Sequence, residues 1–232
     1  MTFDKKIFGI GLQKTGLTSL LRVMQRSGLK AQGTSLPRRR QFCIKRDYKG
    51  ILDYYDTVDF SCDWPTPLMY KAAYGKYRDK ARFILTVRKD ADTWFESVKR
   101  HNWYAHPVLH RHRWFFGRFY PHGFDDEHKE YYERHTREVE AFFAEHGASH
   151  QLLKIRIDQP QSIAKLAEFL ELEIPFSEFP RENVSKGDRR DIGSIFKWHY
   201  NRTVQPIYGR VAPRLSKKAA RQARPIDMDY GV

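Results

Sequence analysis

An apolar run, Ile7 to Ile10, passes directly into Gly11-Leu12-Gln13-Lys14-Thr15-Gly16-Leu17-Thr18-Ser19-Leu20. β-branched and aromatic residues followed at once by glycines and hydroxyls read as a buried strand that ends in a tight loop. The amphipathic stretch Leu17 to Gly28 then supplies a helix. A strand, a glycine loop and a helix in that order constrain the chain to an α/β fold. They also aim the helix N-terminus, with its outward N–H groups and positive dipole end, at an anion. A phosphorylated ligand is the expectation.

The same alternation continues down the chain. Strands are expected over Lys5 to Gly11, Leu29 to Gln32, Thr57 to Ser61, Arg82 to Val87 and Gln151 to Ile157. Helices are expected over Leu17 to Gly28, Pro67 to Tyr77, Asp92 to His101, Asp125 to His146, Ser162 to Glu171 and Gly193 to Tyr208. This pattern predicts a central, mainly parallel sheet flanked by helices. With 232 residues, 41% of them hydrophobic, and no linker-like stretch, the chain reads as a single domain, 1–232.

Gly11 to Thr18 follows the phosphate-binding pattern G-x-x-x-x-G-K-[ST] in its glycine spacing and terminal threonine, but position 17 is Leu. The cation sits earlier, at Lys14, inside the loop. That placement suits a ligand whose reactive group hangs from a single 5′-phosphate. The segment resembles the 5′-phosphosulfate-binding loop of the sulfotransferases that use 3′-phosphoadenosine 5′-phosphosulfate (PAPS), in which the loop reads G-x-x-K-[ST]-G-T-T. Leu17 replaces the first of the two threonines.

A second motif supports the first. Ala81-Arg-Phe-Ile-Leu-Thr-Val87 reads as a buried strand and ends at Arg88, before the helical segment Ala91 to Arg100. In the sulfotransferases an arginine at that strand end and a serine on the next helix bind the 3′-phosphate of PAPS. Arg88 and Ser97 occupy those places here, with a spacing one residue longer than is usual. An arginine fork gives bidentate, charge-assisted contacts to phosphate oxygens, and a serine hydroxyl adds a donor. Trp94 and Phe95 on the same helix read as packing residues rather than adenine stackers. Leu166 to Pro175, with Phe179, Pro180 and Asn183, is similar to the C-terminal part of bacterial-type sulfotransferases.

The resemblance implies a P-loop-like sulfotransferase fold and sulfuryl transfer from PAPS to a hydroxyl or amine by in-line displacement. Lys14 and Asp63 are the implied catalytic residues. Gln13, Lys14, Thr15, Gly16, Leu17, Thr18, Ser19, Arg88 and Ser97 are the implied cofactor-binding set, and no metal is expected. Within that set, Lys14 would donate to the leaving oxygen. The N–H groups of Gly16 and Leu17 and the hydroxyls of Thr15, Thr18 and Ser19 would hold the 5′-phosphate. Asp63, beside Trp64 and Pro65, is the leading candidate for the base that takes the acceptor's proton; it equally suits a cap for the following helix. His101 and Glu96 are reserves.

Charge and composition bear on partners. Lys and Arg exceed Asp and Glu by 42 − 28 = +14, and the pI is near 9.8. Basic residues cluster at Arg38 to Arg40, at Arg111, Arg113 and Arg118, and over Arg210 to Arg224. Such an excess suits a polyanionic partner, whether nucleotide, sulfated or phosphorylated acceptor such as an acidic saccharide, nucleic acid or anionic membrane. Segment 102–123 mixes aromatic residues with histidines and arginines. It reads either as an acceptor-binding insert or as a structural excursion. His101, His106, His110 and His112 lack a metal-ligand pattern. Cys43 and Cys62 suit reduced thiols, and no run approaches the roughly 18 apolar residues of a membrane span, so a cytoplasmic location is expected.

Two further classes stay open. A P-loop kinase shares the fold but wants a Walker-type lysine and an acidic Mg²⁺ ligand. A nucleic-acid-binding protein would explain the charge and the aromatic–basic mixture, but not Lys14 or Arg88 in their positions.

Overall fold

The first apolar run forms β1, Lys6–Gly9, at the centre of a five-stranded sheet of order β2-β3-β1-β4-β5. The computed structural model describes residues 5–33, 47–105, 116, 120–180 and 192–219. β2 is Ala31–Gln32, β3 Phe60–Cys62, β4 Ala81–Thr86 and β5 Leu152–Ile155, and all four pairings are parallel. In register, Gly9 stands level with Cys62 on one side and Ile84 on the other. Ile7, Phe60, Phe83 and Ile84 are wholly buried, as expected of strands covered on both faces.

The helices in chain order are α1 Leu17–Arg26, α2 Tyr48–Asp56, α3 Tyr70–Tyr77, α4 Ala91–Asn102, α5 Asp125–Glu145, α6 Ser162–Leu170 and α7 Ile192–Ala219. α1 buries Leu17, Leu20, Val23 and Met24, the i, i+3, i+6, i+7 stripe of one helix face. α6 buries Ile163, Leu166 and Leu170 into the same core, which Phe179 also joins. Glu171 ends that helix in the left-handed region, at φ 52°.

Several boundaries differ from expectation. The second strand is only Ala31–Gln32, and the third begins at Phe60 rather than Thr57. The segment expected as one helix from Pro67 is a 3₁₀ turn, Thr66–Leu68, followed by α3. α2 was not expected. It is announced by Asp47, whose carboxylate accepts from the N–H of Gly50 at 2.9 Å, and by buried Ile51 and Tyr55 four residues apart. α7 passes Tyr208 and reaches Ala219.

The described residues divide into two compact units, one drawing on 1–89 and 135–183 and the other on 90–134 and 184–229. The first holds the sheet. In it α5 contributes Val139 and Phe143, both fully buried, with the Phe143 ring 4.7 Å from that of Phe83. In the second, Trp94 is fully buried on α4 and stacks on Tyr132 of α5 at 4.8 Å. Trp94 and Phe95 are thus packing residues.

Some of the sequence features lie outside the described residues: Arg38 to Arg40, Cys43, Asn183, residues 106–115 and 117–119 of the aromatic and basic segment, and 220–224 of the basic tail.

Candidate functional site

The sheet order sets β1 beside β4, while the chain runs on from β1 to β2 toward one edge of the sheet and from β4 to β5 at the other. A crevice outside the carboxyl ends of the strands at such a reversal is where open α/β sheets take up ligands. The loop that leaves β1 sits there, and it is held from several directions. The N–H of Ile10 donates to the Ile84 carbonyl at 2.9 Å, and the Ile10 carbonyl accepts from Nε2 of His135 at 2.9 Å. Next comes a contact only glycine permits. A Cβ on Gly11 would stand 2.1 Å from Thr86 Oγ1 and 2.4 Å from the Thr86 carbonyl.

The loop then curls through two left-handed residues, Lys14 at φ 69° and Gly16 at φ 107°. Alternation of this kind turns successive backbone N–H groups toward one point and makes an anion-binding concavity. Between them Thr15 is wholly buried. Its hydroxyl donates to the Leu12 carbonyl at 2.6 Å and shares a 2.6 Å hydrogen bond with Thr86 Oγ1. This hydroxyl therefore clasps the loop to β4. An α-helix leaves the N–H groups of its first turn outside its own ladder. The N-cap of α1 is Gly16, which has no side chain to take them up, and no acidic residue stands in that turn. Thr18 is exposed and Ser19 buried, while Gln13 and Lys14 are half-buried.

The neighbouring strand ends supply the other groups of the first unit. After β3, Asp63 takes a left-handed conformation at φ 65°. Its Oδ1 accepts from the N–H of Trp64 at 2.9 Å, and its carbonyl accepts from the N–H of Thr66 at 2.8 Å. Neither the 3₁₀ turn nor α3 carries a side-chain cap, so the capping alternative for Asp63 is not what forms. The Trp64 indole N–H donates to Gln13 Oε1 at 3.3 Å, which joins this segment to the β1 loop. After β4 comes Arg88, half-buried. After β5, Arg156 grips Asp158 through both carboxylate oxygens, Nε at 3.1 Å and Nη2 at 2.8 Å. Arg156 holds the Asp158 carboxyl below its usual range, partial burial opposes this, and the charge of Arg88 adds to the lowering.

His135 lies under the loop. Burial drives its pKa down to about 4, and its ring meets Tyr70 edge-on at 6.3 Å. It is neutral at ordinary pH, with Nε2 carrying the proton that the Ile10 carbonyl accepts. The structure thus adds His135, Thr86, Arg156 and Asp158 to the surroundings of the loop. Thr86 and Arg156 fall inside expected strands and His135 inside an expected helix, but nothing along the sequence marked their nearness to the loop.

Ser97 belongs to the second unit, where it is 5% exposed on α4. The reserve residues Glu96 and His101 are exposed on the same helix, and Glu96 pairs with Lys99. In that unit His122 packs against Trp103 at 4.1 Å, and burial lowers its pKa to about 4. Among the described residues no group of three or more His, Cys, Asp or Glu could hold a metal ion. No described helix is long and apolar enough to cross a membrane.

The family model described as a sulfotransferase domain fits residues 6–187, a span that includes β1 to β5, the β1 loop, Asp63, Arg88 and Ser97. No curated protein matches the chain.

Proposed function

Because the chain belongs to the sulfotransferase domain family, we propose that it moves a sulfuryl group from PAPS to a hydroxyl or amine of an acceptor by in-line displacement. The observation that carries this reading is the β1 loop: a curl with Lys14 inside it, opening on an uncapped helix start at the carboxyl edge of a parallel sheet. PAPS would supply a sulfuryl group on a phosphate leaving group. What the protein then has to do is position two partners and stabilise negative charge on the departing oxygen.

In this reading Lys14 donates to that oxygen, where charge develops. The N–H groups of Gly16 and Leu17 and the hydroxyls of Thr18 and Ser19 take the 5′-phosphate, and Gln13 lines the same loop. Thr15 serves through its buried clasp to Leu12 and Thr86, which keeps the curl in shape. Arg88 takes the 3′-phosphate. Asp63, at the end of the strand next to β1, accepts the proton of the attacking group.

The test is transfer of sulfur label from PAPS into a pool of hydroxyl- and amine-bearing compounds. Lys14→Met should lower the rate about 10²- to 10³-fold, the usual effect of losing one charge-stabilising donor, with the fold intact. Asp63→Asn should lose activity with donor binding retained. Label moving from the γ-phosphate of ATP instead would replace this reading with that of a kinase.

A further inference from the structure

Helix α7 buries two polar side chains and exposes several large apolar ones. Asn201 and Gln205 are both 0% exposed. Asn201 Nδ2 donates to the carbonyls of Trp103 and Ala105, each at 2.9 Å, and Gln205 Nε2 donates to that of Asn102 at 3.0 Å. These amides take up the carbonyls that the end of α4 leaves outside its ladder. One turn further, Gly209 lies against the backbone of His122 and Gly123, so close that a Cβ would stand 2.6 Å from the His122 carbonyl oxygen. Positions 201, 205 and 209 are successive four-residue steps along one helix face. That face anchors α7 within its unit.

The opposite face exposes several large apolar side chains. Ile192 is 86% exposed, Phe196 65%, Tyr200 40%, Ile207 55% and Val211 46%. At about 100° per residue these positions fall within an arc of about 100°, centred nearly opposite the anchoring stripe. Exposed Thr203 and Arg210 stand in the same arc; isolated exposed apolar residues are ordinary, but five of them on one side of a helix over five turns mark a surface with something to cover it.

Charge selects the occupant. The helix carries Lys197, Arg202 and Arg210, its sequence continues with Arg214, Lys217 and Lys218, and it contains no Asp or Glu. A second copy would set these cations against their own kind. Nucleic acid matches the charge but stacks on aromatic rings, whereas this stripe is mostly aliphatic. An anionic lipid surface complements both features, the headgroups meeting the cations and the acyl boundary taking the apolar side chains. We infer that α7 is a peripheral membrane-binding helix that lies on anionic bilayers with Ile192, Phe196, Ile207 and Val211 inserted.

The experiment is flotation of the full chain with vesicles of phosphatidylcholine alone and of phosphatidylcholine mixed with phosphatidylglycerol, beside sedimentation equilibrium without lipid. The expected result is binding to the mixed vesicles that weakens with salt. It should fall roughly tenfold or more in F196D/I207D, given what burying two such side chains contributes, and persist in F196L/I207L. Ile192→Asp, at the most exposed position of the stripe, provides a single-site variant should the double one fail to fold. Three results would each overturn the inference: no binding to the mixed vesicles, binding that the aspartates leave unchanged, or a dimer in sedimentation that they disperse.

Discussion

The β1 loop and α7 solve opposite problems with similar residues. In the loop, small polar side chains are consumed in shaping backbone: Thr15 and Thr86 share a buried hydrogen bond so that the curl from Leu12 to Gly16 keeps its form. In α7 the polar amides of Asn201 and Gln205 are also buried on backbone carbonyls, but the apolar side chains of the same helix point away. Hydrophobic pattern therefore identifies the core in the sheet unit and misidentifies it on α7. There, backbone carbonyls at the end of α4 outrank aliphatic burial, because an unpaired buried carbonyl is more costly than an exposed isoleucine.

The comparison can be broken first at the loop. Gly11→Ala would force a Cβ into the Thr86 backbone. A loss of about 3 kcal/mol or more is expected in denaturant titration, the range of overpacked sites that cannot relax. A variant as stable as the parent would mean that the loop does not close on β4 as described.

Next in size is a pH effect at His135. Its folded pKa of about 4 lies below the ordinary 6.5, so the unfolded chain takes up the proton first. Stability should accordingly fall as pH drops from about 6.5 to about 4 and then level off, by roughly 3 kcal/mol for a shift of this size. In His135→Gln that contribution to the slope should disappear from unfolding curves taken across the window. His122, also lowered to about 4 and less deeply buried, acts in the same direction and keeps a smaller slope in place.

On α7 the expected effects are smaller and of opposite pattern. Asn201→Leu, though it adds apolar volume at a buried site, should destabilise by about 1–3 kcal/mol, because the carbonyls of Trp103 and Ala105 lose their donor. Ile207→Ser on the outward face should stay within about 0.5 kcal/mol. Thermal unfolding of the two variants side by side would reverse the account of this helix if the serine proved the more damaging.

Much of the sheet unit was legible in the sequence, because its strands are continuous apolar runs and its loop is a pattern of glycines that sterics enforce. The P-loop-like glycines, Lys14, and Arg88 at a strand end all follow from local order along the chain. His135 could not be read in this way. Its bond to Ile10 spans 125 residues, and a histidine on a charged helix carries no mark of its partner. Arg156 and Asp158 likewise meet the site only through the adjacency of β4 and β5. Asp59, just before the third strand, accepts from the N–H of Lys30 at 2.8 Å through its carboxylate and from the N–H of Ile7 at 2.8 Å through its carbonyl, and its own N–H donates to the Lys30 carbonyl. The second unit was legible in its elements but not in its faces. Periodicity locates an amphipathic helix, while which side meets protein depends on carbonyls that another helix leaves open.

In the proposed function the β1 loop and Arg88 serve a nucleotide bearing both 3′- and 5′-phosphates. Calorimetric titration with 3′-phosphoadenosine 5′-phosphate, beside AMP and ATP, tests it most directly. The account predicts tight binding that requires the 3′-phosphate and weakens at least tenfold in Arg88→Ala, in line with the loss of a charge-assisted bidentate contact. Equal affinity for AMP, preference for ATP, or binding indifferent to Arg88 would contradict it.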